Sequence, residues 1–213
     1  MSIFFFFDFI SPYSYLASEL LLRDEPLDLQ LDYSPVVFGT FLARRNARGP
    51  GEDPRQREIN LQDILMRAHF LGIPFEGPPA HPFNPVMALR SVCALPDGAE
   101  RRRLTHAYFR AGWKDGQPLD DPATLRRVLA SLGIDQDPEE TLCSSPARQK
   151  LKKNTEFALE RGATGVPTFL VDDVVFFGGD RIDLLKAYLA GSVTLDREKL
   201  SQILTRPGIT RVV

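Results

Sequence analysis

Little in this 213-residue sequence offers the common metal or redox chemistries. Cysteine is nearly absent: Cys93 and Cys143 lie far apart, without the spacing of a zinc site or a Cys-x-x-Cys pair. So few thiols point to a reducing, cytoplasmic setting, with both cysteines expected as small buried hydrophobes. Histidine is as scarce, and His69, His81 and His106 share no ligand spacing, so no metal is expected. Charge of one sign is missing too. The 26 basic and 28 acidic residues leave a formal net charge of −2, which gives nucleic acid or an anionic membrane no field to follow. No apolar run approaches the ~18 residues of a membrane-spanning helix. The run Ile3-Phe4-Phe5-Phe6-Phe7 has no basic residue before it, Asp8 interrupts it and no cleavage pattern follows, so it reads as a buried strand and not a leader. What remains is a globular chain, 43% apolar, able to bury a substantial core in one domain or one domain with a large insertion.

What is present begins as strand, sharp turn and helix. Residues 3–9 lack polar alternation except at Asp8, as in a central parallel strand covered on both faces. Ser11 can cap a helix, Pro12 fits its first position, and Tyr13, Leu16, Ala17, Leu20 and Leu21 recur at helical spacing until Asp24 to Pro26 ends it. Residues 28–38 open with strict alternation and complete a β-α-β unit. From 39 to 54 the composition turns to Arg, Gly, Pro and Asn, a loop or broken helix carrying Arg44, Arg45 and Arg48, with Arg55 and Arg57 just beyond. Helical patterns then follow at 59–71, 85–95, 100–112, 122–132, 138–142 and 146–161, punctuated by Gly and Pro. Strand signals return at 167–171 and 174–177 around Asp172-Asp173, followed by a helix at 180–190 and a short one within 195–204.

Ser11 has a chemical reading beyond capping. The unpaired N–H groups and positive dipole end of a helix N-terminus favour an anion, and a thiolate placed there is stabilised as in Cys-x-x-Cys proteins. Ser11 and Ser14 stand at the two cysteine positions of such a motif, so a thiol must come from outside the chain and the Ser11 hydroxyl can donate to its sulfur. On Ser11-Pro12 alone a plain N-cap worth ~1 kcal/mol explains as much. Ser14, one turn into the helix, is expected to bond its own backbone. Asp8 reads first as structural and second as a buried carboxyl of raised pKa. Trp113 is either core or the roof of an aromatic pocket.

The order β-α-β, helices, β-β-α is that of an α/β thioredoxin-like fold with a large all-helical insertion. The expected domains are a discontinuous thioredoxin-like one, residues 1–40 and 160–213, and a helical insertion at 41–159. Asp8-Phe9-Ile10-Ser11-Pro12-Tyr13-Ser14-Tyr15-Leu16-Ala17 resembles the signature of 2-hydroxychromene-2-carboxylate isomerases and kappa-class glutathione transferases, of the DsbA-like thioredoxin superfamily. Thr164-Gly165-Val166-Pro167-Thr168-Phe169 resembles that group's proline loop, and Phe177-Gly178-Gly179-Asp180-Arg181-Ile182-Asp183-Leu184-Leu185 its glutathione-binding turn. Ala107 to Trp113 also has the look of the family.

The resemblance implies glutathione as cofactor and Ser11 as the catalytic residue that holds its thiolate. It places Val166 and a cis Pro167 where glutathione pairs as an extended peptide, and Asp180 and Arg181 at the γ-glutamyl end. Without the resemblance, a trans proline opening an edge strand and an Asp180 N-cap explain these residues. Asn46 aligns with an asparagine of the kappa-class motif. Relatives place a lysine somewhat later, where this chain has Arg55, Gln56 and Arg57. Arg48, Arg55 and Arg57 are therefore candidates to clamp a substrate carboxylate; a solvated loop balanced by Glu52, Asp53 and Glu58 is the alternative. The reaction implied interconverts 2-hydroxychromene-2-carboxylate and trans-o-hydroxybenzylidenepyruvate in the breakdown of polycyclic aromatics, by reversible thiolate addition. A cytoplasmic homodimer acting on a small aromatic acid is expected. The rival readings are a kappa-like transferase, which releases the conjugate, and a non-catalytic glutathione- or peptide-binding module.

Overall fold

The computed structural model of the protein describes residues 2–208. The chain divides into two compact units, Met1–Ile182 and Asp183–Val213. The first is built on a four-stranded sheet of order β2-β1-β3-β4, with β1 (Ile3–Phe7) parallel to β2 (Leu31–Pro35) and antiparallel to β3 (Thr168–Val171), which pairs antiparallel with β4 (Val174–Phe177). β1 can be all apolar because both of its faces are covered. Phe5 and Phe7 look one way, toward Tyr33, Phe169 and Phe109, with Phe9 beyond them 4.8 Å from the Phe109 ring. Phe4 and Phe6 look the other way, onto Phe157, and Phe6 joins the core of Val36, Phe41, Ala158, Ala163, Val166 and Leu170.

Helix α1 (Pro12–Leu22) follows β1, and the short α2 (Glu25–Asp28) leads into β2. Between β2 and β3 come α3 (Phe38–Arg44), α4 (Pro54–Leu71), α5 (Val86–Ala94), α6 (Ala99–Phe109), α7 (Pro122–Ser131), α8 (Pro138–Cys143) and α9 (Ser145–Glu160). Several start on a capping side chain with proline directly after it. Asp53, Asp121 and Asp137 each accept backbone N–H groups of the first turn, and Pro54, Pro122 and Pro138 fill the position whose N–H needs no partner. The second strand is shorter than its alternation suggests, because Asp28 is drawn into α2 and Phe38 opens α3. α6 ends in a π turn over Arg110–Lys114, closed by the Asp115 N–H on the Arg110 carbonyl. Gly112 fits there because a Cβ would come 2.7 Å from Leu119.

A 3₁₀ turn, Gly179–Arg181, closes this unit ahead of α10 (Ile182–Leu189). The second unit holds the rest of α10 and α11 (Arg197–Leu204), capped by Asp196. No helix among the described residues is long and apolar enough to cross a membrane. Cys93 is buried, which pushes its thiol up to about 12, whereas Cys143, expected to be buried, is exposed at the end of the short α8.

Candidate active site

Ser11 is the N-cap of α1. Its Oγ accepts the Ser14 N–H at 3.1 Å, and its own hydroxyl donates to the Val166 carbonyl at 3.4 Å, a long bond. The side chain is only 8% exposed, so an anion reaching it also meets the helix end with little competing water. Four neighbouring backbone groups of its turn are fixed. The Asp8 carbonyl accepts the Ser11 N–H at 3.0 Å, and the Asp8 carboxyl accepts from Ile10 N at 3.1 Å. Trp113 Nε1 donates to the Phe9 carbonyl at 2.8 Å, and His81 Nε2 donates to the Ile10 carbonyl at 3.0 Å.

Asp8 combines both roles read from the sequence. Its second oxygen accepts from Phe38 N at 2.8 Å, tying the Ser11 turn to the start of α3. Burial outweighs these hydrogen bonds and raises its carboxyl to about 7. Ser14 departs from expectation: its Oγ is fully buried and makes no hydrogen bond to its own backbone or to any other described residue. Trp113 is buried against Phe75 and His81 and serves as an anchor, not a roof.

The Val166–Pro167 bond is cis, and among the described residues no backbone carbonyl takes the Val166 N–H. The Pro167 carbonyl accepts from Gly178 N at 2.9 Å, which joins the proline loop to the turn before α10. Gly179 lies against α1: a Cβ there would come 3.3 Å from Ala17 and 3.5 Å from the Tyr13 carbonyl. Three of the motifs separated in sequence thus converge around the start of α1. Within the turn, Arg181 pairs with Asp180 at 2.9 Å and both are exposed.

Asn46 adopts a left-handed φ of 50° directly after α3, with Asn46 N bonded to the Ala43 carbonyl and Ala47 N to that of Leu42. That is a Schellman ending, which Asn tolerates better than most residues, and its side chain is exposed. Arg48, Arg55 and Arg57 are exposed and form no ion pair among the described residues. Among the described residues no hydrogen bond or ion pair ties Arg48 or Arg55 to the Ser11 turn; Arg57 acts on His81 through its charge.

At the other end of α1, Ser18, His106 and Asp28 form a chain that resembles a nucleophilic triad. Ser18 Oγ lies 2.6 Å from His106 Nδ1, and His106 Nε2 lies 3.0 Å from Asp28. Ser18 is completely buried, so no substrate reaches it, and the chain is a satisfied core network. Burial opposes ionisation of Asp28, but hydrogen bonds from His106 and Tyr33 outweigh it and hold the carboxyl below the usual range. Among the described residues no group of His, Cys, Asp and Glu could hold a metal.

Comparison with known proteins agrees with this geometry. The family model of the DSBA-like thioredoxin domain matches residues 2–190. A 2-hydroxychromene-2-carboxylate isomerase of Sphingobium xenophagum is 31% identical, over 87% of this chain and 96% of that protein. Human glutathione S-transferase kappa 1 is 26% identical, over 87% and 89%. A solved 2-hydroxychromene-2-carboxylate isomerase superposes with a TM-score of 0.78 at 27% identity, over 90% of this chain and 96% of that one. With its thioredoxin-like sheet, the helices inserted between β2 and β3, and a serine at the head of α1, the chain belongs to the DsbA-like thioredoxin family, in the group of the 2-hydroxychromene-2-carboxylate isomerases and kappa glutathione transferases.

Proposed function

We propose that this chain is a glutathione-dependent isomerase of the 2-hydroxychromene-2-carboxylate isomerase type, acting on an aromatic 2-oxo acid and its hemiketal through a thiolate held at Ser11. The observation that carries the reading is the Ser11 hydroxyl itself. It stands at a helix N-terminus, nearly buried, with only a long bond to the Val166 carbonyl to give up. The residues present fit glutathione: the Val166 N–H and carbonyl can pair with an extended peptide once Ser11 turns away, and the Gly178 N–H bond to the Pro167 carbonyl ties this loop to the turn that carries Asp180 and Arg181. When bound, glutathione supplies a nucleophilic sulfur that adds reversibly to a conjugated double bond and lets it rotate.

The chain's own residues do the rest. The Ser11 hydroxyl donates a hydrogen bond to the sulfur, and the N–H groups of α1 stabilise the negative charge. Asp180 takes the ammonium of the γ-glutamyl end, with Arg181 beside it, and Asn46 borders the tripeptide. The exposed guanidinium groups of Arg48, Arg55 and Arg57 bind the substrate carboxylate. A thioredoxin-like part at 1–40 and 160–213 would hold the cofactor, and the helical segment 41–159 would shape the substrate pocket. The free thiols Cys93 and Cys143 support a cytoplasmic protein. An exposed apolar row on α4, Ile59, Met66 and Phe70, supports a homodimer.

A kappa-like transferase is the second reading, favoured by the kappa relatives. Incubation of trans-o-hydroxybenzylidenepyruvate with protein and substoichiometric glutathione decides between them. Many turnovers with all free glutathione recovered are expected; consumption of one glutathione per product makes the chain a transferase. Glutathione binding without turnover of any electrophile makes it a binding module.

A further inference from the structure

His81 lies outside every motif that marks the site, yet it touches two parts of it. Its Nε2 is 3.0 Å from the Ile10 carbonyl, and a carbonyl only accepts, so the proton is on Nε2 and Nδ1 carries the lone pair. The ring is half-buried and meets Trp113 edge-on at 5.5 Å. Burial, and next to it the charge of Arg57, hold the imidazole below its ordinary pKa against the Ile10 hydrogen bond, which keeps it neutral near pH 7.

The Nδ1–Cε1 edge of the ring faces the loop between α3 and α4. A Cβ built on Gly51 would stand 3.2 Å from His81 Cε1 and 3.4 Å from Nδ1, so the loop backbone rests on the imidazole. Of the groups that fix the Ser11 turn, Asp8 reaches the start of α3 and Trp113 the π turn, while His81 reaches the loop that carries Arg48 and leads to Arg55 and Arg57.

We propose that His81 is a positioning residue that joins this arginine loop to the Ser11 turn, fixing the Ile10–Ser11 peptide on one side and Gly51 on the other. The inference rests on the reading of Ser11 as the thiolate donor. A shift of the loop on binding a carboxylate is then passed through a rigid ring to the carbonyl that sets Ser11, so the substrate and cofactor sites are not independent. Sequence spacing hides this role, since His81 is 71 residues from Ile10 and resembles any loop histidine.

Three variants test it: His81→Ala, which removes the donor; His81→Gln, whose amide N–H can take the place of Nε2–H without titrating; and Gly51→Ala, which presses on the ring from the loop side. Glutathione affinity and the pH midpoint of thiolate absorbance are measured on each folded protein, together with hydrogen exchange of the Ser11 amide without ligand. His81→Ala is expected to bind glutathione about fivefold more weakly, the worth of one ordinary hydrogen bond, with a raised thiolate midpoint and faster Ser11 exchange. Gln restores all three, and Gly51→Ala moves them in the direction of His81→Ala. Wild-type values in both His81→Ala and Gly51→Ala overturn the proposal, as does a His81→Gln protein no better than His81→Ala. Should His81→Ala not fold, Gly51→Ala at wild-type values is sufficient to overturn it. If the wild type binds no glutathione, the reading of Ser11 falls, and exchange of the Ser11 amide still decides the role of His81.

Discussion

The Ser11 hydroxyl donates to the Val166 carbonyl across 3.4 Å, joining the head of α1 to the cis-proline loop 155 residues away in sequence. A bond this long is weak, so the proton is easily redirected to an incoming sulfur. Ser11→Ala removes the donor and leaves the helix end. A hydrogen bond to a charged group is worth about 1.5–3 kcal/mol, so the pKa of bound glutathione thiol should rise by about one to two units. Thiolate absorbance against pH measures it. An unchanged midpoint in a folded Ser11→Ala protein contradicts the role given to Ser11. The variant should also lose about 1 kcal/mol of stability with its cap.

Ser14 sets a contrasting case three residues on. Its buried Oγ has no partner, and an unsatisfied buried hydroxyl costs about 1–3 kcal/mol. Ser14→Ala should therefore melt at or above the wild-type temperature and bind glutathione as tightly. A clear loss of stability in thermal denaturation would mean that the hydroxyl has a partner in solution.

The same two positions make a redox prediction. With cysteine at both, the turn becomes Cys-Pro-Tyr-Cys on a helix N-terminus in a DsbA-like fold, the setting that activates a thiol. The double variant Ser11→Cys/Ser14→Cys should form an internal disulfide on mild oxidation, seen as loss of the two added thiols, and in its dithiol form, with dithiothreitol as reductant, should reduce insulin. Neither single variant should do so. A double variant whose two new thiols stay titratable after oxidation shows that the turn holds them apart.

How much of this was legible before folding depends on the range of the interaction. Helix starts written as Asp-Pro at 121 and 137 are local chemistry, and both cap as their residue types dictate; the same signal at Asp53-Pro54 starts α4 five residues before the pattern expected at 59, because the first turn is polar and carries no apolar periodicity. The hairpin at Asp172-Asp173 was readable for the same reason, with Asp172 taking the left-handed conformation of a tight turn. Asn46 has a local explanation that motif alignment hides, since it ends α3. What periodicity could not supply was which residue of the helical segment reaches the Ser11 turn. Trp113 meets Phe9 and His81 meets Ile10 over 104 and 71 residues, and nothing in the local pattern distinguishes them from ordinary core and loop residues. Cys143 was misjudged because general burial tendency ignores its place at the end of a short exposed helix.

Asp8 gives the site a pH dependence of known sign. Its carboxyl titrates near 7 in the folded chain and at 3.8 in an ordinary setting, so between these values the native state holds a proton that the unfolded state has lost. Stability attributable to Asp8 is fully present below about pH 4 and is lost as pH rises through 7. From pH 5 to pH 8 the loss is about 2–3 kcal/mol. Urea denaturation should show this decline in the wild type and a flatter profile in Asp8→Asn, which does not ionise. Asp8→Asn should be the less stable protein at pH 5, because an amide cannot accept from both Ile10 and Phe38. Parallel profiles for the two proteins would place the titration elsewhere.

The exposed row on α4 makes the homodimer testable. Ile59, Met66 and Phe70 follow one another at seven- and four-residue steps, so they share a face, and they are 57%, 65% and 87% exposed. Ile64 and Ala68, the buried residues of the same helix, lie on its opposite face. A phenylalanine this exposed is an unfavourable surface residue unless another apolar surface covers it, and a second copy presents the same row for a symmetric match. The wild type should sediment as a dimer at micromolar concentration and the double variant Met66→Glu/Phe70→Glu as a monomer. Both substitutions sit on solvent-facing positions, so the fold should survive and circular dichroism should match. A dimer that persists in the double variant would place the interface on another face.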